Sequence, residues 1–176
     1  MQKRKKLILR LKFCLRLAAI AMAAGLVVLD QYIKAVAVRM LKPQGAMQLV
    51  RGVLGLQYTE NTGISFSLFE DSMVMMWVVT IVTSAVMLAG VLLILSGRLR
   101  QASPLCAAAL IIAGGTGNLL DRLLRGFVVD YLEFLFVRFA VFNFADICIA
   151  GGVAWLTIWM IWEEAQHRKA GKKSEK

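Results

Sequence analysis

The chain has 176 residues, about one domain, and 59% of them are hydrophobic, which is more than a soluble domain carries. Its 21 Lys and Arg against 11 Asp and Glu give a formal charge of +10, but the basic residues gather in short patches that flank apolar stretches, the pattern of membrane topology signals. Nucleic acid is therefore excluded as a partner, and the only histidine, His167 in the C-terminal tail, excludes histidine catalysis and histidine metal sites in the rest of the chain.

A bilayer core about 30 Å thick needs about 20 apolar residues of helix, and four stretches qualify: 17–38, 73–96, 105–120 and 141–162. Lys3, Arg4, Lys5, Lys6, Arg10, Lys12 and Arg16 precede the first. A basic start before an apolar run also resembles a secretory signal, with Ala23 and Ala24 as a cleavage site. The run continues past Asp30 into an amphipathic turn, and its loss would leave three crossings, so it is expected to stay as a helix. Next comes an outer segment, 39–72. Within it residues 47–58 alternate Leu, Val and Gln around Gly52 and Gly55, which suggests a short hairpin on the membrane surface or, equally, an irregular loop. Asn61-Thr62-Gly63-Ile64-Ser65-Phe66-Ser67 leads into the second helix, with Gly63 permitting a turn and Ser65 or Ser67 able to satisfy helix-start amides.

Arg98 and Arg100 fill the link to the third helix, the least apolar of the four. Its Gly114-Gly115-Thr116-Gly117-Asn118 looks like a phosphate loop, but no Lys-Ser/Thr follows and no strand precedes it, so nucleotide binding is rejected. Glycines in a membrane helix instead permit close approach of a neighbour. A second outer segment, 121–140, precedes the fourth helix. The tail 165–176, with Arg168, Lys169, Lys172, Lys173 and Lys176, is expected to be disordered. The basic patches place both termini and the Arg98 link on the cytoplasmic side. Cys14, Cys106 and Cys148 lack CxxC or histidine partners and are expected to be packing residues.

At 1.5 Å per helical residue, Asp30 lies about 21 Å from Arg16, Asn118 about 20 Å and Asp121 about 24 Å from Leu105, and Asp146 about 24 Å from Trp162. One depth near the outer face holds all four, so a bundle can gather them around one water-accessible cavity; the bland alternative is that each snorkels from a helix end. Asp30 and Lys34 have the i, i+4 spacing of a structural ion pair. Asp121 and Arg122 point in different directions, and the Arg122 fork suits carbonyls, carboxylates or a lipid phosphate. Asp130 and Asp146 adjoin apolar sequence, where an ionised side chain is costly and marks a functional site.

Without a site histidine, Ser-x-x-Lys or Gly-x-Ser-x-Gly, carboxylates are the remaining chemistry. Two close together share one proton, so one can activate water while the other polarises an amide carbonyl. A small transporter would need polar groups through the bundle, where only Thr80, Thr83, Ser84 and Thr157 stand in the cytoplasmic halves. A noncatalytic scaffold would tolerate replacement of the aspartates.

Asp30-Gln31-x-x-Lys34, Asn61-x-Gly63-x-x-Phe66-Ser67, Gly114-Gly115-Thr116-Gly117-Asn118 leading to Asp121-Arg122, Val128-Val129-Asp130 and Phe142-Asn143-x-Ala145-Asp146 together resemble bacterial lipoprotein signal peptidase, signal peptidase II. The blocks stand in the family's order from Asp30 to Ile149. The resemblance implies an all-α membrane protein of four transmembrane helices with a small outer-face β-hairpin or cradle, forming a single domain in the bacterial cytoplasmic membrane with its active site near the outer face. It implies an aspartic endopeptidase, without metal or cofactor, that cuts diacylglyceryl-modified prolipoproteins just before the lipidated cysteine. Substrate and membrane lipids are the expected partners of a monomer. By motif, Asp130 and Asp146 would be the catalytic pair. Asn118, Arg122 and Asn143 would line the site, and Asp30, Lys34, Asn61, Gly63 and Asp121 would support it. Ile64-Ser65, where the family commonly has Ala-Ala, and Ile147, where it often has Ser, depart from the pattern.

Overall fold

The computed structural model describes residues 2–62, 73–99 and 101–174. The expected turn at Gly63, the Ile64-Ser65 departure and Ser67 lie outside these residues, as do Glu175 and Lys176. Four helices dominate: α1 Gln2–Gln44, α2 Met73–Ser96, α3 Ala102–Arg125 and α4 Phe144–Ser174. Each contains a window long and apolar enough to cross a bilayer.

Two helices run further than their apolar windows. At 43 residues, α1 is about 65 Å long; its basic leading turns continue the helix because Lys, Arg and Leu are good helix formers. It stops where Pro43 removes a backbone donor and Gly45 turns at φ 79°. The tail from residue 165, expected to be disordered, instead carries α4 to Ser174. Glu, Gln, Lys and Ala favour helix there, and Arg168 Nε pairs with Glu164 Oε1 at 2.9 Å across one turn.

The central helix is α3. More than half of its apolar window, 56%, is buried, against 17% for each of the others, and it packs on α1, α2 and α4. Small residues make this possible: a Cβ on Gly114 would collide with the carbonyl oxygen of Ala145 on α4, and one on Gly117 would collide with Asp30 on α1. The core between α1, α2 and α3 is built from Ala19, Ala23, Ile94, Leu105, Ala109 and Ile112. Large apolar side chains such as Val86, Leu92, Ile158 and Trp162 face outward, as lipid contact requires.

The expected hairpin forms, with β1 Met47–Val50 and β2 Leu54–Asn61 paired antiparallel around Gly52. A third strand, β3 Val128–Phe134, joins the other edge of β2 to give the order β1-β2-β3. Its sequence, Val-Val-Asp-Tyr-Leu-Glu-Phe, has strand composition. All of its first four residues are buried, so it lacks the alternation that marks a half-exposed strand. Val129 and Tyr131 pack on Ala37 and Leu41 of α1, which seats the sheet on the helix end where the polar residues gather.

Candidate active site

The polar residues meet at the junction of α1, α3, β3 and the start of α4. Asp121 ties three of these together, because its fully buried carboxylate accepts from Lys34 Nζ at 2.9 Å, Arg125 Nη1 at 2.6 Å and the backbone N–H of Val129 at 3.1 Å. The last bond fixes β3 against α3 one residue before Asp130. Gly126 makes the return possible, since it ends α3 at φ 80° with its N–H on the Arg122 carbonyl.

Lys34 is completely buried. A charge there must be paired and hydrogen-bonded to persist, and all three ammonium protons have acceptors: Asp30 Oδ2 at 3.0 Å, Asp121 Oδ2 at 2.9 Å and Asn118 Oδ1 at 2.9 Å. The Asp30–Lys34 spacing thus gives an ion pair, but one shared with α3. Gln31 reinforces it, donating to Asp30 Oδ2 at 3.2 Å, Asp121 Oδ1 at 3.2 Å and the Gly117 carbonyl at 3.1 Å. Sequence reasoning gave no role to Gln31 or Arg125. Their signal was positional: each lies one or four residues from a buried acid, but so do many surface residues.

Asn118 passes this order toward the aspartates. Its Oδ1 accepts from Lys34 and, at 3.1 Å, from Asn143 Nδ2, which leaves its own Nδ2 to donate to Asp146 Oδ1 at 2.8 Å. With the oxygen held by an ammonium donor, the amide has only one productive orientation.

Asn143 joins the two carboxylates. Its Nδ2 donates to Asp130 Oδ1 at 2.6 Å, while its backbone N–H donates to Asp146 Oδ2 at 3.0 Å. The Asn143 Oδ1 accepts from the Asp146 N–H at 3.0 Å, so Asn143-Phe144-Ala145-Asp146 is a reciprocal capping box in which the aspartate closes the first turn of α4. The preceding residue sets the position: Phe142 exchanges hydrogen bonds with Leu132, at 2.8 and 2.9 Å, so the chain entering α4 runs beside β3. Tyr131 Oη accepts the Phe144 N–H at 3.1 Å; this cap was not expected from the sequence. Asn61, at the end of β2, completes the ring by donating Nδ2 to Asp130 Oδ2 at 2.8 Å.

Each aspartate therefore receives asparagine donors on both oxygens. The surroundings differ, however, since Asp130 is buried and Asp146 partly exposed. Burial pushes the Asp130 carboxyl up to about 6, against the donors from Asn61 and Asn143, and the charge of Asp146 adds to the rise. Arg122 lies alongside, half-buried, with Nη1 at 3.5 Å from the Asn118 carbonyl. Of the sequence candidates, Asp30, Lys34, Asn61, Asn118, Asp121, Arg122, Asp130, Asn143 and Asp146 share this junction, and Gly63 falls outside the described residues. Among the described residues no cluster of His, Cys, Asp and Glu could hold a metal ion.

Residues 22–162 match the family model described as signal peptidase (SPase) II. The lipoprotein signal peptidase of Enterococcus faecalis is 32% identical over 85% of this chain and 91% of that protein. That of Caldanaerobacter subterraneus is 33% identical over 82% of this chain and 97% of its own. A bacterial membrane enzyme solved by the in meso method at 2.3 Å resolution superposes with a TM-score of 0.73 at 22% identity, covering 85% of this chain and 90% of that one. A second, at 1.9 Å resolution, gives 0.71 at 25% identity, covering 81% and 92%.

Proposed function

The chain belongs to the signal peptidase II family, and from that premise we propose that it is an aspartic peptidase whose catalytic pair is Asp130 and Asp146. The observation that carries the assignment is that one residue, Asn143, hydrogen-bonds both carboxylates. Asp130, whose burial raises its proton affinity, holds the shared proton, and the more exposed Asp146 takes a proton from water. The water oxygen attacks the scissile carbonyl carbon as Asp130 donates its proton to the carbonyl oxygen, giving a tetrahedral diol. Collapse breaks the C–N bond: Asp146 passes its proton to the leaving nitrogen, and Asp130 recovers one from the diol. The asparagines hold the carboxylates in place through both halves of the reaction.

The substrates are diacylglyceryl-modified prolipoproteins, cut just before the lipidated cysteine. A substrate anchored by acyl chains stays in the bilayer, and the outward-facing apolar sides of the bundle leave it free to approach laterally. The half-buried Arg122 faces substrate backbone or lipid, while the buried Asn118 and Asn143 line the site from behind by holding the carboxylates. The basic residues around Arg16 and Arg98, against the acids at the other end, put both termini in the cytoplasm and the aspartates near the outer face. The protein acts as a single domain and a monomer, without a cofactor.

The test is to incubate the protein in detergent with a diacylglyceryl-modified prolipoprotein and its unlipidated form, and to weigh the products. Cleavage of the lipidated form alone, with the new N-terminus at the modified cysteine, is expected; equal cleavage of both, or a cut elsewhere, would refute the substrate assignment.

A further inference from the structure

Asp130 and Asp146 stand on different elements, β3 and α4, so a shared proton requires the start of α4 to be held at a fixed distance from the strand. Asn143 reaches both carboxylates, but it precedes α4 and is only as fixed as the turn it caps. The strand holds that turn through its next residue. Tyr131 donates its backbone N–H to the Phe142 carbonyl at 3.0 Å and accepts the Phe144 N–H on Oη at 3.1 Å. Phe144 opens α4 two residues before Asp146, and among the described residues this is the one side-chain hydrogen bond from β3 into that helix.

The ring does not need its hydroxyl to pack. Tyr131 is 5% exposed within the apolar cluster of Ala37, Leu41 and Val129, and Phe144 itself packs on that cluster. A phenylalanine would fill the same space, and a buried hydroxyl is costly unless it is hydrogen-bonded. Here it satisfies a first-turn amide that has no partner within the helix, as Asn143 Oδ1 does for the Asp146 N–H. We propose that the Tyr131 hydroxyl is a positioning group for the reaction: through the Phe144 amide it sets the spacing of Asp146 from Asp130, and so the sharing of the proton between them. The proposal rests on the assignment of those two aspartates as the catalytic pair.

Removing the oxygen changes no charge. Burial, with the charges of Asp30, Asp146 and Asp130, pushes the phenol above its ordinary value and keeps it neutral wherever carboxylates titrate. What changes is distance. Burial and the charge of Asp146 on α4 raise Asp130, while donors from Asn61 on β2 and Asn143 and the charge of Lys34 on α1 oppose them; Arg122 on α3 faces both aspartates. An Asp146 that recedes raises Asp130 less, so Asp130 gives up its proton at lower pH.

The experiment measures kcat and KM against pH for the full chain in detergent on a diacylglyceryl-modified prolipoprotein, with thermal unfolding in parallel. It compares the wild type, Tyr131→Phe and Phe144→Pro, with Asp130→Asn alongside. Phe144→Pro removes the same bond from the other side, and proline suits the first helical position. Both variants should lower kcat roughly tenfold at unchanged KM and move the alkaline limb of kcat down by roughly half a pH unit. Loss of folded enzyme alone would scale kcat equally at every pH and leave the limb in place. A limb unmoved in both variants, or wild-type kcat in Tyr131→Phe, would overturn the proposal and leave the catalytic pair standing if Asp130→Asn is inactive. Full cleavage by Asp130→Asn would overturn the pair itself, and this proposal with it.

Discussion

Asn143 shows how much of this site hangs on single residues. It caps α4, orients Asp146 through that cap and donates to Asp130, so Asn143→Ala disturbs both carboxylates at once. A displacement of about 1 Å at a reacting group costs roughly 100-fold in rate, and a loss of that order in kcat, with KM little changed, is expected in the peptide-release assay. Asp130 carries a second prediction. Its carboxyl is raised from 3.8 to about 6 by burial, so the folded state holds the proton more tightly than the unfolded one. Its contribution to stability is complete below the unfolded value and is lost as pH rises through about 6. Thermal unfolding of the wild type against Asp130→Asn, between pH of about 4 and about 7, should show the wild type losing ground as pH rises; a gap that does not move would contradict it.

The glycines decide contacts between elements. A methyl at Gly114 meets the Ala145 carbonyl, one residue from Asp146, and overpacking of this kind costs roughly 1–3 kcal/mol. Gly114→Ala should therefore lower the unfolding temperature and reduce cleavage together. Gly151 on α4 has nothing within 4 Å of its Cβ position, so Gly151→Ala should hold or slightly raise stability, as alanine is the better helix former. The four apolar crossings and the i, i+4 pair of Asp30 and Lys34 were legible from composition and spacing, whereas the residues around Gly52 read equally as a hairpin or an irregular loop and only the family resemblance implied the hairpin. The β3 strand was not legible, because its buried first half shows no period. Nor was Tyr131 as a cap for Phe144, because only the pairing of Phe142 with Leu132 brings these groups together; the Asp121–Arg125 pair has the same i, i+4 spacing as Asp30 and Lys34 and was overlooked. The extent of α4 was misread for a different reason: a charged, polar tail without an apolar face looks unstructured by composition, yet it keeps good helix formers and an ion pair along its length.

Across the whole molecule one buried network links α1, α3, β3 and α4. Lys34 bonds Asp30 on its own helix and Asp121 and Asn118 on α3; Asp121 fixes β3, and Asn118 reaches Asp146 on α4. Removing the cation alone strands two carboxylates, and breaking a buried pair in this way costs about 3–5 kcal/mol. Lys34→Met should therefore unfold at markedly lower denaturant. The charge-balanced double variant Asp30→Asn/Lys34→Met should recover a large part of that loss but little of the cleavage, since Asn118 loses the ammonium donor that fixes its amide toward Asp146. The central claim is that Asp130 and Asp146 perform the chemistry, and the most direct measurement compares the wild type with Asp130→Asn and Asp146→Asn on a lipidated prolipoprotein, following released signal peptide by mass. Asparagine keeps the shape but cannot exchange the proton: both variants should fold, insert and release no peptide above background, whereas full release by either one would contradict the assignment.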